Sequence, residues 1–408
     1  MDKTLKKNLS LVLYINILIS ILSVLSNLYF IKQLGVVKMG SFAIIITLVD
    51  ITLSFFNFGF NQYIIMNPKD DKIYNSIFTL VFFQSIIFLV LPTISFLVYV
   101  KLFNNDLIVL LVPLILISLS RAINLYTTFF YSRAEASLQY KPIMIFRLIC
   151  RFIGVLTGFY AVYFYDTIYG LVFRDLIYTF LYTISIIVIY KPKVSFYYNK
   201  KLFKEIWSFI KNLYGLNLLE RLILRLDYLI VENIFGINNL GIYYSIRSIF
   251  EGIYGLVILP VQTVMLSFYA RYNNKKELIF KLHKYCYYLF ALFPLVFLIE
   301  QFNFTFLIEF FIGEEYVKGS SLISGLVMYY VSMIWFENIK SLAISLNIHF
   351  VAVYSRIVQL FILPLLLYVL CNFFDFFGAG LATGISSLLL AFLTTLYLKN
   401  NNQKICVE

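Results

Sequence analysis

The sequence predicts an all-α integral membrane protein of twelve transmembrane helices, arranged as two parallel six-helix repeats with both termini inside. Three observations lead there: a composition too apolar for water, twelve separated apolar runs, and an internal repeat. Of the 408 residues, 61% are hydrophobic and only 13% charged, and the mean hydropathy is +0.86. Soluble domains carry roughly 25% charged and 45–50% apolar residues. A water-soluble globule of this size needs a polar skin that this chain cannot supply, so its solvent is lipid.

The apolar runs fall at 9–31, 39–66, 73–100, 107–131, 142–164, 168–190, 206–235, 239–270, 277–300, 319–345, 350–371 and 377–398. Each approaches or exceeds the roughly 20 residues that span the hydrocarbon. The first run follows a basic start, but it is too long for a signal-peptide core and shows no cleavage pattern, so it reads as an uncleaved first helix. Polar breaks separate the runs: Asn67-Pro68-Lys69-Asp70-Asp71, Lys141-Pro142, Lys191-Pro192, Asn273-Asn274 and Gly313-Glu314-Glu315. The longest, 191–205, divides the chain into an N-terminal half (1–190) and a C-terminal half (206–408), and reads as a cytoplasmic linker.

Orientation comes from lysine and arginine in alternate loops. One set, which includes both tails, holds 17; the other holds 4. Cytoplasmic loops carry the positive excess, so both termini are expected inside, and an even number of spans agrees. The net charge of +12 therefore reports topology, not a nucleic-acid partner.

The internal repeat has an offset of 201 residues. Leu34-Gly35-Val-Val-Lys-Met-Gly40 matches Phe235-Gly236-Ile-Asn-Asn-Leu-Gly241, Asn16 matches Asn217, Asp50 matches Glu251, and Asp166 to Gly170 parallels Asp375 to Gly380. Six spans per repeat insert both halves the same way round. Parallel repeats of this kind place the substrate between the halves, so a central cavity is expected.

Chemistry in such a chain is carried by charge at membrane depth. No H-E-x-x-H, P-loop or G-x-S-x-G occurs, the two histidines (His283, His349) lie far apart, and no large polar loop is present. Four scattered cysteines (Cys150, Cys286, Cys371, Cys406) support neither a disulfide framework nor a zinc site. No cofactor or metal is expected, and transport is expected rather than catalysis. An ionisable side chain within a span is by default a functional hypothesis. The seventh run is the densest: Glu220, Arg221, Arg225, Asp227 and Tyr228 share one face at 100° per residue. The eighth adds Arg247 and Glu251. Counted from the loop at 236–238, Arg225 and Arg247 lie roughly 15 Å deep, and Arg221 and Glu251 roughly 20 Å. Arg121 in the fourth run and Asp50 in the second sit at similar depth. Arginine stays charged and bonds oxyanions bidentately, so Arg221, Arg225, Arg247 and Arg121 are candidate phosphate ligands, with Tyr228 beside them. Asp50, Glu251, Asp227 and Glu220 are candidates for cavity charge or for coupling to H+ or Na+.

The same logic assigns bland roles elsewhere. Arg147, Arg151, Lys340 and Arg356 lie near the inner face and are expected to snorkel. Arg174, Asp175 and Glu300 lie near the outer face and read as structural. Gly154-x-x-x-Gly158 and Gly380-x-x-x-Gly384 read as close helix contacts. The first run has Ile19, Ser20, Val24 and Ser26 where the seventh has its charges, so the halves are alike in fold and unlike in electrostatics.

Several of these stretches resemble a known family. Arg225 to Ser245, Phe311-Ile-Gly313-Glu-Glu-Tyr316-Val-Lys-Gly319, Phe377 to Ser386, Leu34 to Gly40 and Asn57-Phe-Gly59-Phe60 are similar to signatures of the polysaccharide exporter branch of the multidrug/oligosaccharidyl-lipid/polysaccharide (MOP) exporter superfamily. The resemblance covers essentially the whole chain and points toward O-antigen or capsular repeat-unit flippases. It implies a V-shaped bundle, alternating access, and transfer of an undecaprenyl-pyrophosphate-linked oligosaccharide from the cytoplasmic to the periplasmic leaflet of a bacterial inner membrane. It also implies membrane lipids as surroundings, with a polymerase and a chain-length regulator of the same glycan pathway as further candidate partners. Two rivals differ in what they require. A cation-coupled multidrug antiporter of the same superfamily needs acids to dominate the cavity. A membrane-embedded glycan polymerase or ligase needs a large external loop.

Overall fold

The structure is a computed structural model that describes residues 3–66, 70–103, 105–136, 140–165, 167–271, 275–288, 294–295, 298–299, 302, 304–346, 348 and 350–405. The Asn67-Pro68-Lys69 and Asn273-Asn274 breaks, Asp166, Glu300, His349, Cys406 and much of the expected ninth span lie outside the described residues.

Among the described residues the regular structure is helical. The α-helices are α1 (Lys3–Ser54), α2 (Phe60–Met66), α3 (Asp71–Phe103), α4 (Leu111–Ala136), α5 (Tyr140–Tyr165), α6 (Tyr169–Tyr190), α7 (Lys200–Arg271), α8 (Lys275–Cys286), α9 (Thr305–Ile312), α10 (Ile323–Ser345) and α11 (Phe350–Ile405). Two 3-10 segments, Asn105–Leu110 and Glu314–Leu322, lead into α4 and α10. Seven of the helices are long and apolar enough to cross a membrane. In α11 only 22% of the most apolar stretch is buried within the protein. Side chains such as Phe361 and Leu365 therefore face outward, as a lipid-solvated helix requires.

Three helices are too long for one crossing. At 1.5 Å per residue α1 would reach about 78 Å, against a hydrocarbon core of roughly 30 Å. Each is broken by non-helical backbone: α1 at Gly35 (φ 72°, ψ 171°), α7 at Gly236 (φ 78°, ψ 176°) and α11 at Phe374 and Asp375. Split at these points, the described helices supply a segment for each expected span, the ninth only in part through α8. Gly35 and Gly236 adopt nearly the same left-handed geometry, which glycine alone reaches without strain, and they are related by the repeat offset. A side chain on Gly40 would strike the Ile237 carbonyl, and one on Gly241 would strike the Val36 carbonyl. The repeat is thus visible as a reciprocal backbone contact.

One expected span is interrupted. The second run, 39–66, reads as continuous helix from its hydropathy, but α1 ends at Ser54 and α2 begins at Phe60. The intervening Phe55–Gly59 is as apolar as its surroundings, so hydropathy does not register the break. Gly59, with φ of 71°, makes the turn possible.

The chain divides into two compact units. The first comprises Met1–Leu34 with Ser41–Arg221, and the second Gly35–Gly40 with Leu222–Glu408. In the first, α5 meets α6 through the expected glycines: Gly154 faces the Arg174 carbonyl and Tyr178, and Gly158 faces the Gly170 carbonyl and Phe30. In the second, Gly380 and Gly384 face Leu322, Gly325 and Met328. Added volume in such a contact costs about 1–3 kcal/mol. Gly158→Ala is expected to lower the thermal unfolding temperature of the detergent-solubilised protein, and an unchanged midpoint would remove this contact from the account of stability.

Candidate functional site

The first unit contains a polar pocket at the interrupted helix. It has a volume of about 430 Å³, and its polar lining is Asp50, Asn57, Asn61, Gln84, Arg121, Asn124, Thr128, Asn217 and Arg221. Phe58, Phe129 and Leu53 supply apolar wall. The turn that ends α1 leaves backbone carbonyls without helical partners. Inside a bilayer such groups need replacements, and side chains provide them: the Gln84 amide donates to the Phe56 carbonyl and the Tyr214 hydroxyl donates to the Phe55 carbonyl at 2.9 Å. Irregular backbone at membrane depth is tolerated where it lines a cavity, and this turn does.

Charge in the pocket comes from three elements. Asp50 on α1 faces Arg121 on α4, with the carboxylate 3.4 Å from Nε. Arg221, in the first segment of α7, meets Asn57 in the turn. With the Asn57 amide turned so that its oxygen faces the guanidinium, it accepts from Nε at 3.2 Å and Nη2 at 3.0 Å. Two guanidinium groups thus share the pocket with one carboxylate, surrounded by neutral amides. The lining chemistry is that of a site for hydroxyls and oxyanions.

The second unit holds a different arrangement. Arg247 is 1% exposed and forms an ion pair with Asp227, itself 1% exposed. Its Nε lies 3.5 Å from Glu251, one turn along the helix, and its Nη1 donates to the Tyr243 hydroxyl at 3.1 Å. The Tyr243 hydroxyl donates in turn to Asp227 at 2.8 Å. The rings of Tyr228, Tyr243 and Tyr329 surround the guanidinium at 5.0–5.9 Å, close enough for cation–π attraction. Arg225 lies over the Tyr228 ring at 5.3 Å.

Of the candidates from sequence, Asp50, Arg121 and Arg221 therefore come together in the first unit. Asp227, Tyr228, Arg247 and Glu251 come together in the second, with Arg225 beside them. Glu220 is half-buried in the first unit and does not line the pocket. The pocket amides were not legible as a set, because Asn57 with Asn61, Asn124 and Asn217 lie on three separate stretches of chain. Their one local signal was Asn57-Phe-Gly59, a turn sequence inside an apolar run.

A further charged network joins Arg147, Arg151, Arg174 and Asp175 to polar residues of α1. Arg151 reaches Asp175 at 3.4 Å and the Ser23 hydroxyl at 3.2 Å, and Arg174 reaches Asp175 at 3.0 Å and Asn27 at 2.6 Å. Arg147 donates to Asn16 at 3.2 Å. Arg147 and Arg151 do not snorkel, because each finds an acceptor on a neighbouring helix, and Arg174 is structural as expected. Arg356 is also buried rather than snorkelling: it is 1% exposed, donates to Gln359 of its own helix at 2.8 Å and lies over the Phe336 ring of α10 at 4.4 Å. Lys340 pairs with Glu337 at 3.0 Å. Cys150, Cys286 and Cys371 are buried free thiols. Among the described residues no cluster of three potential metal ligands occurs.

Comparison with known proteins gives this geometry a setting. A multidrug resistance MATE family transporter of the MOP superfamily, in an inward-facing conformation, superposes with a TM-score of 0.68 at 12% identity, covering 97% of this chain and 99% of that one. The lipid II flippase MurJ, in an inward closed conformation, gives 0.71 at 14% identity, covering 95% and 87%. A mutant of the Vibrio cholerae MATE transporter VcmN gives 0.61 at 13% identity, covering 98% of each chain. At these identities the likeness is one of fold. No curated protein sequence matches the chain. Residues 34–321 match the family described as polysaccharide biosynthesis protein, and with that match spanning more than half of a multi-pass membrane protein built on the MOP transporter fold, the chain belongs to that family.

Proposed function

We propose that the protein flips a lipid-linked oligosaccharide, an O-antigen or capsular repeat unit carried on a polyprenyl pyrophosphate, from the cytoplasmic to the periplasmic leaflet. The polar pocket of the first unit carries this reading. Sugars present many hydroxyls and little net charge, which suits Asn57, Asn61, Asn124, Asn217 and Gln84. The pyrophosphate is a compact polyanion, which suits Arg121 and Arg221. The lipid tail has no counterpart in so polar a pocket and stays in the bilayer. The fold shared with MurJ and the MATE transporters supports a transport role, and the family supports a glycan cargo.

Arg247 is assigned a different role. Its guanidinium is shared among Asp227, Glu251 and Tyr243, so it holds the second unit together. Asp50 is the candidate for coupling to H+ or Na+, because it pairs with a pocket arginine that the cargo also needs.

The test is Arg221→Ala in cells that make surface polymer. Loss of one charge-assisted contact of about 1.5–3 kcal/mol is expected to slow flipping at least tenfold. Lipid-linked repeat units then accumulate and surface polymer falls, with Arg221→Lys restoring part. Normal polymer in the alanine variant at native expression sinks the phosphate role. Drug-resistance assays separate the reading from a multidrug antiporter.

A further inference from the structure

A second groove lies where three membrane helices of the first unit end. α3 begins at Asp71, α4 ends at Ala136 and α6 ends at Tyr190, so the groove sits at a membrane–water boundary. The positive-inside count assigns this boundary to the cytoplasm. Its volume is about 550 Å³, and its lining includes Tyr74, Arg133, Lys191, Lys193 and Ser195.

The groove is closed by the segment after α6. Lys191 takes a left-handed conformation (φ 43°) and its N–H donates to the Ile187 carbonyl, ending the helix. The chain then runs extended back along α3. The Ser195 N–H donates to Asn75 at 3.0 Å, the Tyr197 N–H donates to the Thr79 hydroxyl at 3.0 Å, and that hydroxyl donates to the Tyr197 carbonyl at 3.2 Å. These bonds hold the two lysines at the groove mouth.

Three features of the groove point to a ligand. Its cations outnumber its acids: Arg133, Lys191 and Lys193 face one lining carboxylate, Asp71, which pairs with Arg133 at 2.5 Å. Neither Lys191 nor Lys193 has an ion-pair partner among the described residues. Finally, Tyr74 is 3% exposed, lines the groove beneath the Arg133 guanidinium at 4.6 Å, and its hydroxyl has no hydrogen-bond partner among the described residues. A buried hydroxyl without a partner is costly, and a phosphate oxygen supplies the missing acceptor. Beside the groove the surface turns aromatic. Phe196 is 63% exposed and packs on Phe82 at 5.1 Å, and Phe83 is 59% exposed.

We propose that this groove binds an anionic membrane phospholipid. The headgroup phosphate accepts from Tyr74, Lys191 and Lys193, and the acyl chains lie along Phe196 and Phe83. Basic pockets between helix ends at the cytoplasmic side suit such headgroups. The site is separate from the polar pocket and does not depend on the cargo assignment.

The experiment uses the full chain, purified in detergent and titrated with lipids while native mass spectrometry counts those retained and thermal unfolding is followed. Phosphatidylglycerol is expected to bind and to raise the unfolding midpoint, whereas phosphatidylcholine at the same concentration does not. Lys193→Gln and Lys191→Asn, the latter chosen because asparagine tolerates a positive φ, are each expected to weaken binding about fivefold. Tyr74→Phe removes only the unpaired hydroxyl, so it is expected to weaken binding severalfold while the lipid-free midpoint holds or rises. It remains decisive if a lysine variant folds poorly. Retention of phosphatidylglycerol by Tyr74→Phe and Lys193→Gln equal to that of the wild type overturns the site. Stabilisation by inorganic phosphate as strong as that by phosphatidylglycerol overturns the lipid assignment, and so does tighter retention of a polyprenyl phosphate.

Discussion

Arg247→Ala is expected to destabilise the protein by about 3–5 kcal/mol, the cost of leaving a buried charge without its partner. Asp227 is 1% exposed and is enclosed with Arg247. Its remaining partners are the Tyr243 hydroxyl and its neighbour's backbone N–H, at 2.8 and 2.9 Å. Neither neutralises a carboxylate in low dielectric. The variant should therefore aggregate on extraction or unfold at a much lower temperature. Arg247→Met with Asp227→Asn removes both charges, and replacing a whole buried pair is often close to neutral, so this double variant should recover most of the loss. If Arg247→Ala extracts and unfolds like the wild type while flipping stops, Arg247 belongs with the cargo ligands instead. The two outcomes separate a structural arginine from a functional one.

That distinction marks where the sequence stops being legible. A helical wheel places Glu220, Arg221, Arg225, Asp227 and Tyr228 on one face of a helix, and α7 has that periodicity. It cannot say which charges meet each other. Arg221 pairs with Asn57, far away in sequence, whereas Asp227 pairs with Arg247 across the Gly236 break. Helix number and the 201-residue repeat were readable because apolar length and glycine position are local properties. The reciprocal contacts of Gly40 and Gly241 show the repeat surviving in the backbone even where side chains diverge. The interruption at Phe55–Gly59 was hidden because its residues are themselves apolar, and only Asn57 and Gly59 hinted at a turn. Arg147 and Arg151 depart from expectation for a related reason. Snorkelling is the expectation for an arginine with no partner, and the partners here (Asn16 and Ser23) are ordinary polar residues of the first span.

The Asp50–Arg121 pair yields the sharpest prediction about mechanism. Asp50 is a carboxylate whose side chain is 12% exposed and faces a guanidinium that is 28% exposed, 3.4 Å away. Under the proposed function, a cargo phosphate entering the pocket competes with Asp50 for Arg121. Binding of a proton or sodium ion to Asp50 releases Arg121, and by linkage cargo bound to Arg121 raises the affinity of Asp50 for that cation. Asp50→Asn removes the site of cation binding while keeping size and polarity. It is expected to cut gradient-driven flipping about 100-fold, within the range of one charge-assisted contact in a dry site. The residual activity should no longer respond to an imposed pH or sodium gradient, and Asp50→Glu should retain part of both rate and response. Adding Arg121→Gln to Asp50→Asn restores charge balance, so it should bring the unfolding midpoint near the wild-type value without restoring gradient dependence. Reconstituted vesicles with a labelled lipid-linked saccharide and imposed gradients measure flipping by all three variants. Asn at position 50 with full gradient dependence would show that the coupling carboxylate lies elsewhere, and Glu251, whose side chain is 42% exposed, is then the next to substitute.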